Sequence, residues 1–475
     1  MRFPFKYRVV AVALAFGLIA TKPLLAGDRS NIRGVGMGRT YVASSRNVDA
    51  LGINPANLGL EDRLPGTILP FAFGIRIGSE FLSYDLYQTY FTGVPDPAHP
   101  GTRIAKQLTN ADKDQLLSSF PDIGSFLSTD VEVGLVGFSM QLGKLGSIGF
   151  LMTEHIGARF DMPKDYFKIM TFGLDSAGSN YNLSGTSPSS WWWREYNISY
   201  AKRLPVDLGF VKDLFVGIGV KFVRGYGIVQ TEHYTSSFGN VPLGNGQYKL
   251  VGNFDFLARR SGADFLDKNT NADFSPFPEP AGKGTGFDIG ASSLVIFGLR
   301  VGVSVTDIGS ISWDKNVVET EGVGGLVITD PFSQAGTDSL KDAIKGKERP
   351  GASFTTSLPT KLRIGAMVES EKLPLLSFLP GKMLIALDYN QGLNESMGNT
   401  TKPRISLGAE YRIIPLIPLR TGISMGGGDS FRWALGFGLD FYAVSFDLAT
   451  ENFGMLFSPK SFNMFSLATS LRIRF

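Results

Sequence analysis

The chain ends on the stretch Phe465-Ser-Leu-Ala-Thr-Ser-Leu-Arg-Ile-Arg-Phe475, in which two kinds of side chain alternate. One face is apolar apart from a single threonine, and it comprises Phe465, Leu467, Thr469, Leu471, Ile473 and Phe475. The other face is small or charged, and it comprises Ser466, Ala468, Ser470, Arg472 and Arg474. A period of two over roughly 11 residues predicts a β-strand long enough to cross a bilayer at a tilt.

The same alternation recurs upstream, in segments 216–222, 300–305, 362–369, 404–413, 432–440 and 444–449. Strands of soluble proteins average about 5 to 6 residues, whereas several of these segments are longer. Their second faces mix charges with glycine, as a crowded barrel lumen would. We therefore predict an all-β, transmembrane antiparallel barrel. Alternation alone leaves a periplasmic β-sandwich as the alternative, but a terminal phenylalanine on an alternating strand resembles the signature that the outer-membrane barrel assembly machinery reads, so we expect that machinery to bind Phe475.

The N-terminus has the composition of a secretory signal. Arg2, Lys6 and Arg8 precede an apolar run over 9–20, and the small residue Ala26 stands before Gly27. The run is shorter than the roughly 20 residues that a membrane-spanning helix needs. We predict a signal peptide over 1–26 and localisation in the outer membrane.

Composition excludes several classes of function. The 475 residues include no cysteine, so disulfides, thiolate metal sites and cysteine nucleophiles are absent. A net charge of +3 with scattered basic residues gives no reason to expect a nucleic-acid partner. His99, His155 and His233 show no metal-ligand spacing. We expect no cofactor, no metal and no enzymatic activity.

The connections between predicted strands alternate between short and long. Short turns in the periplasm and long loops outside give about 14 strands, rather than 12 or 16, with both termini in the periplasm. This count takes 79–92 as the first spanning strand. It assigns 68–78 to an extension of that strand or to the segment that precedes the barrel.

Residues 27–66 do not alternate and carry two motifs. The first motif contains Gly36, Met37, Gly38, Tyr41, Val42 and Ala43, and the second contains Asp49, Ala50, Asn54, Pro55, Ala56 and Leu58. Here the chain resembles the FadL-type superfamily of outer-membrane transport proteins, in its broad and mostly uncharacterised branch. Arg39, Thr40 and Asn57 depart from the usual motif. Segments 286–290, 306–313 and 358–365 add to the resemblance.

The resemblance implies a 14-stranded barrel over 67–475, with 27–66 folded into the lumen as a hatch. It implies transport of hydrophobic or amphipathic, fatty-acid-like small molecules across the outer membrane, by a monomer surrounded by outer-membrane lipids. One relative instead serves a protein secretion system as a shuttle, so a non-transporting docking component is the alternative. A general polar porin is disfavoured by the hatch.

Candidate site residues fall into two sets inside the barrel. The hatch set is Gly36, Gly38, Arg39, Asn54, Pro55 and Ala56, and the polar lumen set is Glu410, Arg412, Arg432, Asp440, Asp447 and Arg472. We hypothesise that hatch arginines pair with lumen carboxylates. The alternative is that the lumen charges pair across neighbouring strands. Likewise, 54–56 either gates a ligand or forms a plain turn.

Aromatic residues mark the loops. We expect Trp191, Trp192 and Trp193 to precede a strand and anchor it at the outer membrane interface, with a cargo-collecting surface as the alternative. The excursion over 230–284 carries Phe254, Phe256, Phe265, Phe274 and Phe277. These rings either line an apolar entry site or pack the loop onto itself.

Overall fold

The structure is a computed structural model that describes residues 28–475 except 123, 173–178, 207–208, 210, 212, 245–246, 263–277, 296–297, 330–334, 336–337, 340–341, 343–344, 373–379 and 459–461. The signal peptide predicted over 1–26 lies outside the described residues.

Fourteen strands of the described chain form one closed antiparallel barrel. They are β1 (Gly66–Ser79), β2 (Ser125–Gln141), β3 (Ser147–Met162), β4 (Ser187–Leu204), β5 (Asp213–Gly244), β6 (Gly282–Leu294), β7 (Arg300–Trp313), β8 (Lys361–Glu369), β9 (Lys382–Gly392), β10 (Arg404–Arg412), β11 (Leu419–Gly426), β12 (Asp429–Asp440), β13 (Val444–Thr450) and β14 (Met464–Arg474). Each strand pairs with the next, and β1 pairs with β14. The predicted barrel and strand count are confirmed.

The final strand closes the barrel as its alternation predicts. Thr67 of β1 lies opposite Arg474 of β14, and the backbones of Gly66 and Phe475 exchange hydrogen bonds of 2.9 and 3.0 Å. On β14 the apolar residues Phe465 and Ile473 are each 37% exposed, whereas the alternating residues Ser466, Ala468, Ser470 and Arg472 are buried. The apolar face therefore points outward, as an outer-membrane barrel requires.

The position predicted for the first spanning strand, 79–92, is wrong. That strand is β1, over 66–79, and 79–92 begins an external loop that contains helix α2. The reason is a bulge at Leu69 and Pro70, which breaks the register against β14 and masks the alternation. The aromatic residues after β1 pack instead within the loop, where Phe81 contacts Phe120 and Phe167.

The remaining elements are not part of the barrel wall. The α-helices are α1 (Ile32–Gly36), α2 (Tyr84–Tyr90), α3 (Asn110–Ser119) and α4 (Lys164–Phe172). Short 3-10 helices span Asn47–Ala50, Pro55–Gly59, Gly143–Leu145, Ser370–Lys372 and Phe453–Leu456, and further strands span Val94–Pro95, Arg103–Ile104, Asn180–Asn182, Gln247–Gly262, Val318–Ile328, Lys347–Pro350 and Phe354–Ser357. No helix of the described chain is long and apolar enough to cross a membrane.

Residues 28–65, called the N-terminal segment below, fill the lumen. The segment's apolar side chains, such as Val48 and Leu51, pack against Leu69 and Leu151 of the wall. Inward-facing glycines let the two backbones approach. A β-carbon at Gly422 of β11 would overlap the carbonyl of Met37, and one at Gly217 of β5 would overlap the backbone of Ala56.

Candidate functional site

Glu451, directly after β13, holds the outer part of the N-terminal segment. Arg29 places its Nη1 3.2 Å from one Glu451 oxygen and its Nε 2.6 Å from Asp130 of β2. Arg39 forms an ion pair with the other Glu451 oxygen, and Arg76 of β1 lies 3.8 Å away. All these side chains are buried, so the charges are shielded from solvent and strongly coupled.

A second anchor begins at Asp28. The Nη2 group of Arg363 lies 2.7 and 2.8 Å from the two Asp28 carboxylate oxygens. The Tyr41 hydroxyl donates to Oδ2 of the same carboxylate. Burial by itself would raise the pKa of Asp28, but Arg363 and Lys361 lower it far below its usual range. The carboxylate is therefore ionised whenever the segment is seated.

The backbone of the segment is bound as well. The amides of Tyr41 and Val42 both donate to Asp388 Oδ2, at 2.7 and 2.9 Å. The Asn54 side chain caps the 3-10 helix that starts at Pro55, by accepting from the Ala56 amide. Its amide group donates to Ala291 of β6 at 3.1 Å, so this motif residue joins the segment to the wall.

The periplasmic end combines both hypothesised modes of charge pairing. Arg33 of the segment lies 2.9 Å from Glu410, and Arg472 lies 2.8 Å from Asp49 of the segment. Asp447 instead pairs with Arg420 and Arg472 of the wall. Asp440 combines both modes, since it pairs with Arg412 and Arg474 of the wall and lies 3.5 Å from Arg63 of the segment. These groups surround a polar cavity of about 230 Å³ that opens at this end.

The other predicted residues also have definite positions. Gly36 packs against Gly436 of β12, and Gly38 and Arg39 have φ values of +65° and +68°. Arg432 lies 3.4 Å from the side chain of Asn463. Phe256 is buried in the Gln247–Gly262 strand, where it stacks on Tyr234 with ring centroids 5.3 Å apart. Phe254 packs beside it, and Phe265, Phe274 and Phe277 lie outside the described residues.

The tryptophan triplet does not precede a strand as expected. It lies within β4, because that strand begins at Ser187, before the triplet. Trp191 and Trp193 lie opposite Gly157 and His155 of β3, and their side chains point into the barrel. Trp192 faces outward and donates from its indole nitrogen to Glu154.

The inward tryptophans form an apolar layer across the outer lumen. Trp191, Trp193 and Trp313, called the tryptophan layer below, cluster with Val223 and Ile311. Inward glycines make room for these rings, since a β-carbon at Gly225 would overlap Trp313. Trp313 was not identified from the sequence, although it ends a strand with alternating valines.

A cavity of about 480 Å³ lies on the extracellular side of this layer. Trp191, Ile228 and Met397 supply its apolar lining. The rest of the lining is rich in hydroxyl, amide and charged groups, among them Arg159, Asp161, Ser189, Ser190, Gln230, Thr356, Asn394 and Asn399. This extracellular cavity is therefore amphipathic.

A smaller cavity of about 50 Å³ lies on the other side, between the tryptophan layer and the N-terminal segment. Trp193, Leu69 and Leu151 form its apolar part. Its polar part includes Lys221, which lies 3.3 Å from both Glu195 and Asp288. His155 also lines it and stacks on Trp193 with centroids 4.7 Å apart.

The wall beside this inner cavity is irregular. Between β1 and β2 the register is the same on both sides of Leu69, but Pro70 and Phe71 have no partner residues in β2. The β2–β3 pairing shifts at the same level, between Gly134 and Val136. Two neighbouring pairs of strands therefore lose regular hydrogen bonding next to Leu69.

The predicted site residues did not include Glu451, Asp28 or Asp388. Glu451 continues the inward phase of β13, two residues after Ala449, and this periodicity is a signal that could have identified it. Among the described residues, no group of three or more histidine, aspartate or glutamate side chains could hold a metal ion.

Residues 66–451 match the model of a family of unknown function, DUF5723, which covers most of the chain. The chain belongs to this family. No curated protein matches it in sequence. The match of this DUF5723 member begins at β1 and ends at Glu451, so it covers β1 to β13 and the principal anchor residue, and β14 lies beyond it.

Solved structures similar to this DUF5723 member include the toluene transporter TbuX of Ralstonia pickettii, at 13% identity and a TM-score of 0.43, covering 97% of this chain and 100% of that one. A FadL homologue of Pseudomonas aeruginosa is 12% identical with a TM-score of 0.44, covering 96% and 100% of the two chains. The FadL-type superfamily that the N-terminal motifs resemble is thus represented among them.

Proposed function

We propose that this protein passes amphipathic small molecules, with an apolar body and a polar head, across the outer membrane. The observation that carries the proposal is the tryptophan layer, which lies between an amphipathic extracellular cavity and an inner cavity beside the irregular wall. The N-terminal segment closes the axis of the barrel below it. Cargo therefore moves through the layer and leaves beside Leu69.

The chemistry of the extracellular cavity favours an amphipathic cargo over a pure hydrocarbon. Ligand sites commonly combine an apolar surface with a few oriented polar groups. Trp191, Ile228 and Met397 suit an alkyl or aromatic body, whereas Arg159, Asp161 and the hydroxyl groups suit a hydrogen-bonding head. A lining without these polar groups would leave such a head unsolvated.

Trp193→Ala tests the route. Trp193 is 2% exposed and lines the inner cavity, so its removal takes away the aromatic surface on which the cargo body stacks. We expect the Kd for a dansyl-labelled medium-chain fatty acid to rise about tenfold, which corresponds to roughly 1.4 kcal/mol. Fluorescence titration of the purified barrel in detergent measures the Kd, and uptake into proteoliposomes measures passage.

The matched control is Trp433→Ala, because Trp433 is 41% exposed on the outer face of β12. It removes an equal ring without touching either cavity, so binding should not change. Trp193→Phe should restore most of the affinity. Equal loss in both alanine variants would contradict the proposal. Native mass spectrometry tests the alternative function. A purified barrel that retains a protein partner and no amphiphile would indicate a docking component instead of a transporter.

A further inference from the structure

A small cavity separates the N-terminal segment from the wall at β10, β11 and β12. The centre of a water-sized sphere can move within about 10 Å³ of it, so it has room for one water molecule or one slightly larger ion. Gly38 and Arg39 line it from the segment. Arg404 of β10 and Arg432 of β12 line it from the wall, and Glu451 completes the charged lining.

This lining holds the guanidinium groups of Arg39, Arg404 and Arg432 and one carboxylate, and both oxygens of that carboxylate are already engaged by other arginines than Arg404. Glu451 accepts from Arg39 on one oxygen and from Arg29 on the other, with Arg76 3.8 Å away. Arg404 is 4% exposed, and its Nε and Nη2 meet no hydrogen-bond acceptor among the described residues. Its charge is therefore not compensated by a direct partner.

Neighbouring acidic groups do not fill this role. Asp388 lies close enough to attract Arg404, but no hydrogen bond joins the two side chains, since Asp388 Oδ2 accepts from the amides of Tyr41 and Val42 and Oδ1 meets no donor among the described residues. Asp28 is bound to Arg363 through both oxygens. Each of these carboxylates already serves the N-terminal segment or its anchor.

A guanidinium cannot lose its proton in a protein, so burial cannot neutralise Arg404 as it could a lysine. An unpaired buried charge is strongly destabilising, and a water molecule would satisfy an N–H group without cancelling the charge. We propose that this cavity binds a single small monovalent anion of about the size of chloride, held between Arg404 and the N-terminal segment. The inference is independent of the cargo proposed above.

Such an anion would stabilise the seated segment, because Arg39 belongs to the segment and Arg404 to the wall. Thermal unfolding of the purified, folded protein in detergent tests this. We expect the midpoint to rise by several degrees in potassium chloride or bromide relative to potassium gluconate at the same ionic strength, and to saturate with halide concentration. Potassium sulfate should resemble gluconate, since its anion is too large.

The variant Arg404→Met should lose this halide dependence, because the uncompensated charge is gone. The control is Arg412→Met, which removes a guanidinium that lies 2.7 Å from Asp440 and 3.0 Å from Glu410 and lines a different cavity. It should keep the halide shift. Equal shifts in the wild type and in Arg404→Met would overturn the proposal.

Bromide diffraction provides a test that needs no variant. Crystals of the wild type grown in bromide should show an anomalous peak within hydrogen-bonding distance of Arg404. Density for water without anomalous signal, together with equal midpoints in chloride and gluconate, would mean that no anion binds and would overturn the inference.

Discussion

Replacing Glu451 with glutamine should release the N-terminal segment and lower the free energy of unfolding by about 3 to 5 kcal/mol. Glu451 is 5% exposed and contacts Arg29, Arg39 and Arg76. Glutamine has nearly the same shape, but it leaves these three buried cations without their shared carboxylate. The cost of an uncompensated buried charge greatly exceeds that of a lost surface pair.

The chain offers a clean readout because it contains no cysteine. Ser44 of the N-terminal segment is 2% exposed, so a Ser44→Cys probe should react slowly with a maleimide while the segment is seated. Adding Glu451→Gln should accelerate labelling and raise the single-channel conductance in planar bilayers. Urea titration of the folded barrel in detergent micelles measures the loss of stability.

The control for Glu451→Gln is Glu371→Gln. Glu371 also pairs with a basic residue, Lys382 at 2.8 Å, but both side chains are at least half exposed. This pair contributes at most about 1 kcal/mol, so labelling and stability should stay near the values of the parent. A probe that remains protected in Glu451→Gln would show that Glu451 does not hold the segment.

The barrel was predictable from the sequence because strand alternation is a local property. The direction of the side chains, inward or outward, alternates from one residue to the next, and β14 alone shows the whole pattern. The position of β1 was not predictable in the same way. Pro70 interrupts the phase there, and its tolerance depends on a bulge that involves β14, which lies at the opposite end of the chain.

The sequence predicts which charged residues lie in the lumen, but it does not predict which of them form ion pairs. Arginines of the N-terminal segment and carboxylates of the wall are visible in the sequence. Which of them meet depends on how the segment lies across the closed barrel, so Arg29 meets Asp130 and Arg39 meets Glu451. The position of the tryptophans relative to β4 was mispredicted for a different reason. Because β4 begins at Ser187, a few residues earlier than predicted, Trp191 and Trp193 lie within the strand and face inward instead of preceding it in a loop.

Gly422→Val should displace the N-terminal segment by steric overlap and lower the free energy of unfolding by about 3 kcal/mol, the upper end of the usual cost of overpacking. The β-carbon would meet the carbonyl of Met37 and the amide of Gly38, which are rigid backbone atoms. Valine itself suits a strand, so β11 should still form. The Ser44→Cys probe and bilayer conductance measure the displacement.

Gly325→Val serves as the control, because a β-carbon there meets its first neighbour, Asn253 Oδ1, at an ordinary 3.5 Å. It should leave the Ser44→Cys probe protected. If the probe also stayed protected in Gly422→Val, the close approach of the two backbones would not be what seats the segment, and the ion pairs alone would have to hold it.

The choice of salt distinguishes release of the segment by steric overlap, in Gly422→Val, from release by charge removal, in Glu451→Gln. Gly422→Val keeps every ion pair and the cavity beside Arg404 chemically intact, so the ratio of its labelling rate to that of the parent should be the same in chloride and in gluconate. In Glu451→Gln the exposed excess of arginines should make the labelling rate depend on the anion, since an anion that binds these arginines replaces part of the lost charge. The same dependence on the anion in both variants would mean that steric overlap and charge removal release the segment through one common step, namely the loss of the Glu451 ion pairs.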